Sequence, residues 1–431
     1  MIRSLLVSAT LLVATPALAV EIVPVEGPET GVPGLLVEDR TNPIVTLRMS
    51  FEGGALAERE GEDGLVRLLS SLMDEGAGDL DAAAFQDRLD QLGVRFFASG
   101  GGSFRIGFSV LSDRFDEAVE LVAAALNEPR LDPGPVARMK RQLASSLRAS
   151  ENTPRAEAGR RVARLVWGDH PYGDDRSGDP AVIEAATADD LRGMLDRIVA
   201  RDNATVAAVG AIDERQLEAA IDRIFADLPE TADVPEIADT APALGVEETL
   251  TLPGAQASLR VVLPAPKRDD PDFFAAYLVN HVLGGGTFTS RLYEELREKR
   301  GLTYGAGSGI RPRDAASSWS ASVSTRPDNL EEARAIMLGE IERMAREGPT
   351  EEELEAAKAY VKGAYAISNL DSSGSVAQVL LDIQEQDLGI DYIDRRGALI
   401  DAVTIEDARR VAAKYLSDEP TIITVLPKGQ G

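Results

Sequence analysis

The chain has 431 residues, 44% of them apolar, with no cysteine and a formal charge of −27. That length is enough to bury the cores of two ordinary domains, and without thiols neither disulfides nor a cysteine metal site can contribute. The charge repels nucleic acid and anionic membrane surfaces, so neither is expected as a partner, and beyond the N-terminus no apolar run is long enough to span a bilayer.

The chain opens Met1-Ile2-Arg3, continues with an apolar run from Leu5 to Ala14, and then reads Pro16-Ala17-Leu18-Ala19. A cation, a short greasy segment and a small-x-small exit predict a secretory signal over residues 1–19, cleaved after Ala19. Export of a cysteine-free chain points to a bacterial periplasm. Strand patterns follow at Ile44–Phe51, Ser103–Val110, Thr205–Val209, Leu259–Leu263, Ser317–Ser324 and Thr421–Val425. After Ser109 comes an amphipathic helix with Leu121, Val122, Ala125 and Leu126, a proline-marked break, and a second helix from Val136 to Ala149. After Ser322 the same order returns: a helix with Ile336, Met337, Ile341 and Met344, then Gly348-Pro349-Thr350, then a helix in which Glu353 and Thr350 form a capping box. The recurrence at an offset of about 215 residues predicts two like-folded units. The fold class is therefore α+β: two homologous domains over 20–228 and 248–431, each a largely antiparallel sheet covered by helices. The proline- and acid-rich segment 229–247 is expected to link them.

The segment Asn280-His-Val-Leu-Gly-Gly-Gly-Thr-Phe-Thr-Ser-Arg-Leu-Tyr-Glu-Glu-Leu-Arg-Glu-Lys-Arg-Gly-Leu-Thr-Tyr304 resembles the second-domain signature of the insulinase/pitrilysin zinc peptidases. His170-Pro171-Tyr172-Gly173 is similar to a turn of that family, and Ala204–Gly210 to its buried strand ending in glycine. The resemblance spans nearly all of the chain after the predicted signal. It implies that the two domains form half of a clamshell.

In that family the first domain carries His-x-x-Glu-His on a helix, so that two imidazoles one turn apart grip zinc and the glutamate activates water. Here the matching helix reads Gly64-Leu-Val-Arg-Leu-Leu-Ser-Ser-Leu-Met73. Arg67 and Ser71 stand at the histidine positions, Ser70 at the glutamate, and Ser145 or Ser146 at the distant ligand. Leu65, Leu68, Leu69 and Leu72 keep the buried stripe. The chain has only His170 and His281, so no cofactor is expected in it, and the resemblance implies that zinc belongs to a partner. Asp74, Glu75 and Glu151 are the nearest carboxylates and read as helix-end and surface acids.

By resemblance, Arg300 and Tyr304 are the substrate-binding pair: guanidinium and phenol would hold a peptide carbonyl or terminal carboxylate. The alternative is structural, with Arg300 tied to the end of its helix and Tyr304 packed on the sheet. Gly301 reads as the helix stop. Gly284, Gly285 and Gly286 lack the ending of a phosphate loop; they either let backbone approach a bound peptide or form a plain turn. Structural roles are expected for both histidines. Two functions remain: a non-catalytic subunit completing a composite zinc peptidase with a His-x-x-Glu-His partner on peptide substrates, or a non-enzymatic scaffold or peptide-binding homodimer.

Overall fold

The computed structural model describes residues 21–428 except Asn152 and Asp175; the predicted signal lies outside the described residues. The first sheet contains β1 (Val23–Glu26), β2 (Pro33–Glu38), β3 (Ile44–Glu52), β6 (Arg95–Gly100), β7 (Ser103–Leu111) and β8 (Ala204–Gly210). Between β3 and β6 lies a small hairpin of β4 (Gly76–Ala77) and β5 (Leu80–Asp81). The second sheet contains β9 (Glu247–Leu252), β10 (Ala257–Pro264), β11 (Thr303–Pro312), β12 (Ser317–Thr325) and β13 (Thr421–Pro427).

The sheets run β1-β2-β8-β3-β7-β6 and β9-β13-β10-β12-β11. With β1 set aside, the orders coincide strand for strand. The senses coincide as well: β2 with β8 and β9 with β13 are parallel, and every other pair in both sheets is antiparallel. The duplication expected from the helix pairs is thus present in the topology.

Strand β3 shows why these sequences become central strands. Val45, Leu47, Met49 and Phe51 alternate onto one face, are fully buried, and join Phe104, Phe108, Phe115 and Phe225 in the first core. Helix Phe115–Asn127 covers that face with Phe115, Ala118, Val122 and Leu126, and Pro133–Glu151 follows it. In the second half Leu330–Glu347 and Glu351–Asn369 take those places. The capping box forms as expected: Thr350 Oγ1 accepts from Glu353 N at 3.2 Å, and the Glu353 carboxylate accepts from Thr350 N at 2.7 Å.

The other face of each sheet is covered by a helix from the opposite half. Helix Ser373–Glu385 places Val376, Val379, Leu380 and Ile383 on Leu35, Val37, Ala207 and Val209 of the first sheet. Arg105 Nη2 on β7 reaches the Glu385 carboxylate at 2.8 Å, and Arg48 Nη1 on β3 reaches Gln378 Oε1 at 3.2 Å. In return, helix Pro154–Trp167 sets Val162 and Val166 against Val262 and Ile423 of the second sheet. The segment between Leu228 and β9 has no helix or strand, and it is pinned along both halves. Thr240 N donates to Ala315 O and Ala243 N to Val166 O, both at 2.8 Å, while His170 Nε2 lies 2.9 Å from Ala238 O.

Because each half supplies a wall of the other's core, the halves should unfold together. Leu380→Ala is expected to cost about 2–5 kcal/mol. Urea denaturation followed by circular dichroism and by fluorescence of Trp167 and Trp319 should give one coincident transition for wild type and variant.

Candidate functional site

The helix at the family's zinc position, Leu65–Ser70, is short, and its apolar side chains Leu65, Val66, Leu68 and Leu69 sink into the first core. Its polar residues are satisfied locally. Ser70 Oγ donates to Arg67 O at 2.9 Å, and Ser71 Oγ donates to Leu68 O at 2.7 Å. Arg67 points outward and donates to Ser177 O at 3.2 Å; Ser146 is exposed on helix Pro133–Glu151. Asp74 accepts from Gln86 Nε2 at 3.0 Å, and burial pushes its carboxyl up; Glu75 pairs with Arg138. Among the described residues no three His, Cys, Asp or Glu side chains cluster so as to hold a metal ion. This donor set of hydroxyls and one guanidinium does not fit zinc, whose protein ligands are imidazole, thiolate and carboxylate.

Sequence reasoning missed Glu58. Its buried carboxylate accepts from Gly64 N at 3.1 Å and Val66 N at 2.8 Å, holding the N-terminus of the helix at the zinc position where no side-chain cap exists. Burial pushes its pKa up to about 7, against the opposing pull of those two amides. Contacts six and eight residues away follow no capping spacing, so no pattern in the sequence marks it.

In the second half, β11 bulges between Thr303 and Ala306, and the bulge turns Tyr304 outward to 84% exposure. Thr303 fixes the bulge: its Oγ1 lies 2.6 Å from Ser324 O and accepts from Gly305 N at 3.0 Å. The cation beside Tyr304 is Arg297, not Arg300. The Arg297 guanidinium sits 5.1 Å from the phenol ring centre and donates to Thr303 O at 3.2 Å. Arg300 turns back onto its own helix, where Nη1 donates to the carboxylate of Glu295 and, at 2.9 Å, to its backbone oxygen. Helical phase sets which arginine lies beside the ring: Glu294–Glu298 is π-wound, with Lys299 N bonding Glu294 O. Gly301 ends the helix at φ +62, as expected.

The glycine run serves the chain's own packing. Gly284 is buried, and a Cβ there would lie 2.4 Å from Ser308 N of β11. At Gly285 it would meet Asn280 Nδ2 at 2.6 Å, and at Gly286 His281 O at 2.9 Å. At Gly284 the space a Cβ would take is held by β11, so the backbone there packs closely on Ser308. His170 caps the turn Pro171–Gly173 by accepting from Tyr172 N at 3.2 Å, and His281 lies against the Tyr360 ring at 4.9 Å. Chemically, the first half retains no ligand or nucleophile at the zinc position, while the second presents an exposed phenol with a guanidinium over it.

The insulinase (peptidase family M16) model matches residues 35–178, and the peptidase M16 inactive domain model matches 185–361. The crystal structure of a peptidase M16 inactive domain from Pseudomonas fluorescens superposes with a TM-score of 0.86 at 26% identity, covering 94% of this chain and 98% of that one. The non-peptidase homolog YmxG of Helicobacter pylori is 22% identical over 340 residues, 78% of each chain. The periplasmic protease PqqL of Escherichia coli shares the fold at a TM-score of 0.80 and 15% identity; the match covers 93% of this chain but 45% of that one. The chain belongs to the insulinase (M16) peptidase family and lacks that family's His-x-x-Glu-His zinc signature. Among the described residues no helix is long and apolar enough to cross a membrane.

Glu58 generates a pH prediction. Its native pKa lies above the unfolded value, so between about pH 4.5 and 7 the native state binds more protons, and this group's contribution to stability falls as pH rises. Glu58→Gln should remove that loss. Relative to wild type, the variant should gain on the order of 3 kcal/mol between pH 4.5 and pH 8, read by urea unfolding at each pH. A difference that stays constant with pH would place the proton elsewhere.

Proposed function

We propose that the chain is a non-catalytic subunit that supplies a substrate-gripping half-site to a composite zinc peptidase of the periplasm. The observation that carries it is an asymmetry: hydroxyls and a guanidinium fill the zinc position, whereas Tyr304 stands exposed on its bulge under Arg297. An exposed phenol stiffened by a bulge and flanked by a cation suits a peptide carbonyl or a terminal carboxylate, because both donors strengthen as negative charge develops on oxygen. The chain matches 45% of the length of PqqL, which supports reading it as half of a larger assembly. The other half would be a second chain bearing His-x-x-Glu-His, with zinc bound there. The signal-like start and the absence of cysteine support the periplasm.

Coexpression with a His-x-x-Glu-His chain from a neighbouring reading frame should yield zinc-dependent peptide cleavage. Tyr304→Phe and Arg297→Ala should each lower kcat/KM by about 10- to 1000-fold, while Arg300→Ala should leave it nearly unchanged. The isolated chain should carry no stoichiometric zinc. Zinc at one per chain with proteolysis by that chain alone overturns the reading, and so does indifference to Tyr304→Phe and Arg297→Ala.

A further inference from the structure

The face of the second sheet beneath its crossing helix differs from its counterpart. On the first sheet the covering helix answers the polar residues beneath it: Gln378 meets Arg48, Glu385 meets Arg105, and Ser373 Oγ lies 2.9 Å from Thr46 Oγ1. On the second sheet, helix Pro154–Trp167 turns Gly159, Val162, Ala163 and Val166 to the sheet, and its Glu157 is spent on Arg160 and Arg161 of the same helix. The helix therefore seals the apolar end at Val262 and Ile423 and stands off the rest.

What remains is a trench. A cleft of about 490 Å³ between this helix and strands β10, β11 and β12 shares Gly159, Val162, Arg260 and Ser322 with a second cleft of about 840 Å³. Along the floor, Ser318, Ser320, Ser322 and Ser324 project from alternate positions of β12, and opposite them Gly307 and Gly309 leave β11 bare. Among the described residues the hydroxyls of Ser318, Ser320 and Ser322 make no hydrogen bond. Arg260, Arg311 and Arg313 line the same space. Arg313 packs its guanidinium 4.4 Å from the Tyr172 ring centre, and neither it nor Arg311 has a carboxylate partner among the described residues. No Asp or Glu is among the described residues lining either cleft. In a chain with 72 acidic and 45 basic residues, a trench that Arg311 and Arg313 line without an Asp or Glu among its described residues is a local reversal of the protein's field.

We propose that this trench is a second binding site, separate from Tyr304, that takes an extended acidic peptide segment. Hydroxyls on alternate residues of a strand repeat every ~6.7 Å, which matches the repeat of same-side groups along an extended chain. The arginines supply the fork of donors that carboxylates accept. The surrounding negative charge disfavours a long nucleic acid strand, whereas a short acidic segment can lie within the trench against its arginines.

The test uses the full chain without any partner, so its outcome is independent of the composite-peptidase reading. The probes are a fluorescein-labelled decapeptide of Glu-Thr repeats, the matching Lys-Thr peptide and a ten-nucleotide oligothymidylate. Binding is read by anisotropy and by the change in fluorescence of Trp167, which lines the trench. The Glu-Thr peptide should bind best, and Arg311→Ala and Ser322→Glu should each raise its Kd at least about tenfold. Ser322 is an exposed strand position, so its variant keeps the fold while placing a like charge in the trench. Arg346→Ala on the helix Leu330–Glu347 should leave Kd unchanged. The proposal fails if the Glu-Thr peptide does not bind, if the Lys-Thr peptide or the oligothymidylate binds as tightly, or if both trench variants stay within about twofold of wild type.

Discussion

Everything in this molecule depends on the need of each sheet to cover two faces. Its own half supplies helices to one face only. The other face of the first sheet is closed by Ser373–Glu385 and that of the second by Pro154–Trp167, so two helices cross in opposite directions. A sheet left with one open apolar face would expose Leu35, Val37, Ala207 and Val209 to water, at roughly 1.5–3 kcal/mol for each large side chain. Two sequence halves therefore make one cooperative body. The linker is short of large apolar residues because it has no core to build, and it lies bonded along both halves without a helix or strand of its own.

The packing at the zinc position is likewise built without a metal ligand. The helix at the zinc position buries its leucine stripe in a core built by strands and by helix Phe115–Asn127, and none of that packing passes through a metal ligand. Ser70 and Ser71 close their hydroxyls onto carbonyls three residues back, and Arg67 reaches a neighbouring loop. The structural demand that remains is the helix N-terminus, where Gly64 in a left-handed conformation offers no side-chain acceptor. Glu58 meets it from outside the helix, at the cost of burying a carboxyl group. Loss of the catalytic ligands left the fold intact because ligands and core occupy different faces of the same helix.

Features governed by local periodicity were legible in the sequence. The six strands read from alternation all exist, the paired helices recur in both halves, and the capping box at Thr350 and Glu353 closes as its spacing dictates. Features governed by phase or by distance were not. The π-wound turn before Lys299 exchanges Arg300 for Arg297 at Tyr304, and nothing in Glu-Glu-Leu-Arg-Glu-Lys-Arg announces an extra residue per turn. Flexibility and close packing call for the same residue, so the sequence leaves the glycine run open between a peptide contact and a plain turn, and the nearness of Ser308 to Gly284 adds close packing that no pattern marks. The helix exchange joins residues as far apart in sequence as Val166 and Val262, or Val209 and Val376, beyond the reach of any window.

The two halves, alike in topology, have divided their labour by polarity. On the first sheet Arg48 of β3 and Arg105 of β7 each find an acceptor on the helix above. On the second sheet β11 carries bare glycines, β12 a row of hydroxyls, and the crossing helix offers methyl groups where an acceptor would be needed. The same strand β11 also carries the bulge that exposes Tyr304. A duplicated fold can afford this because stability needs only one well-sealed exchange on each side, at Leu380 and at Val166, and the remaining strand length is free to be polar. The exposed phenol and the row of hydroxyls thus lie together on the second half, whereas the first half buries the helix at the zinc position in its core.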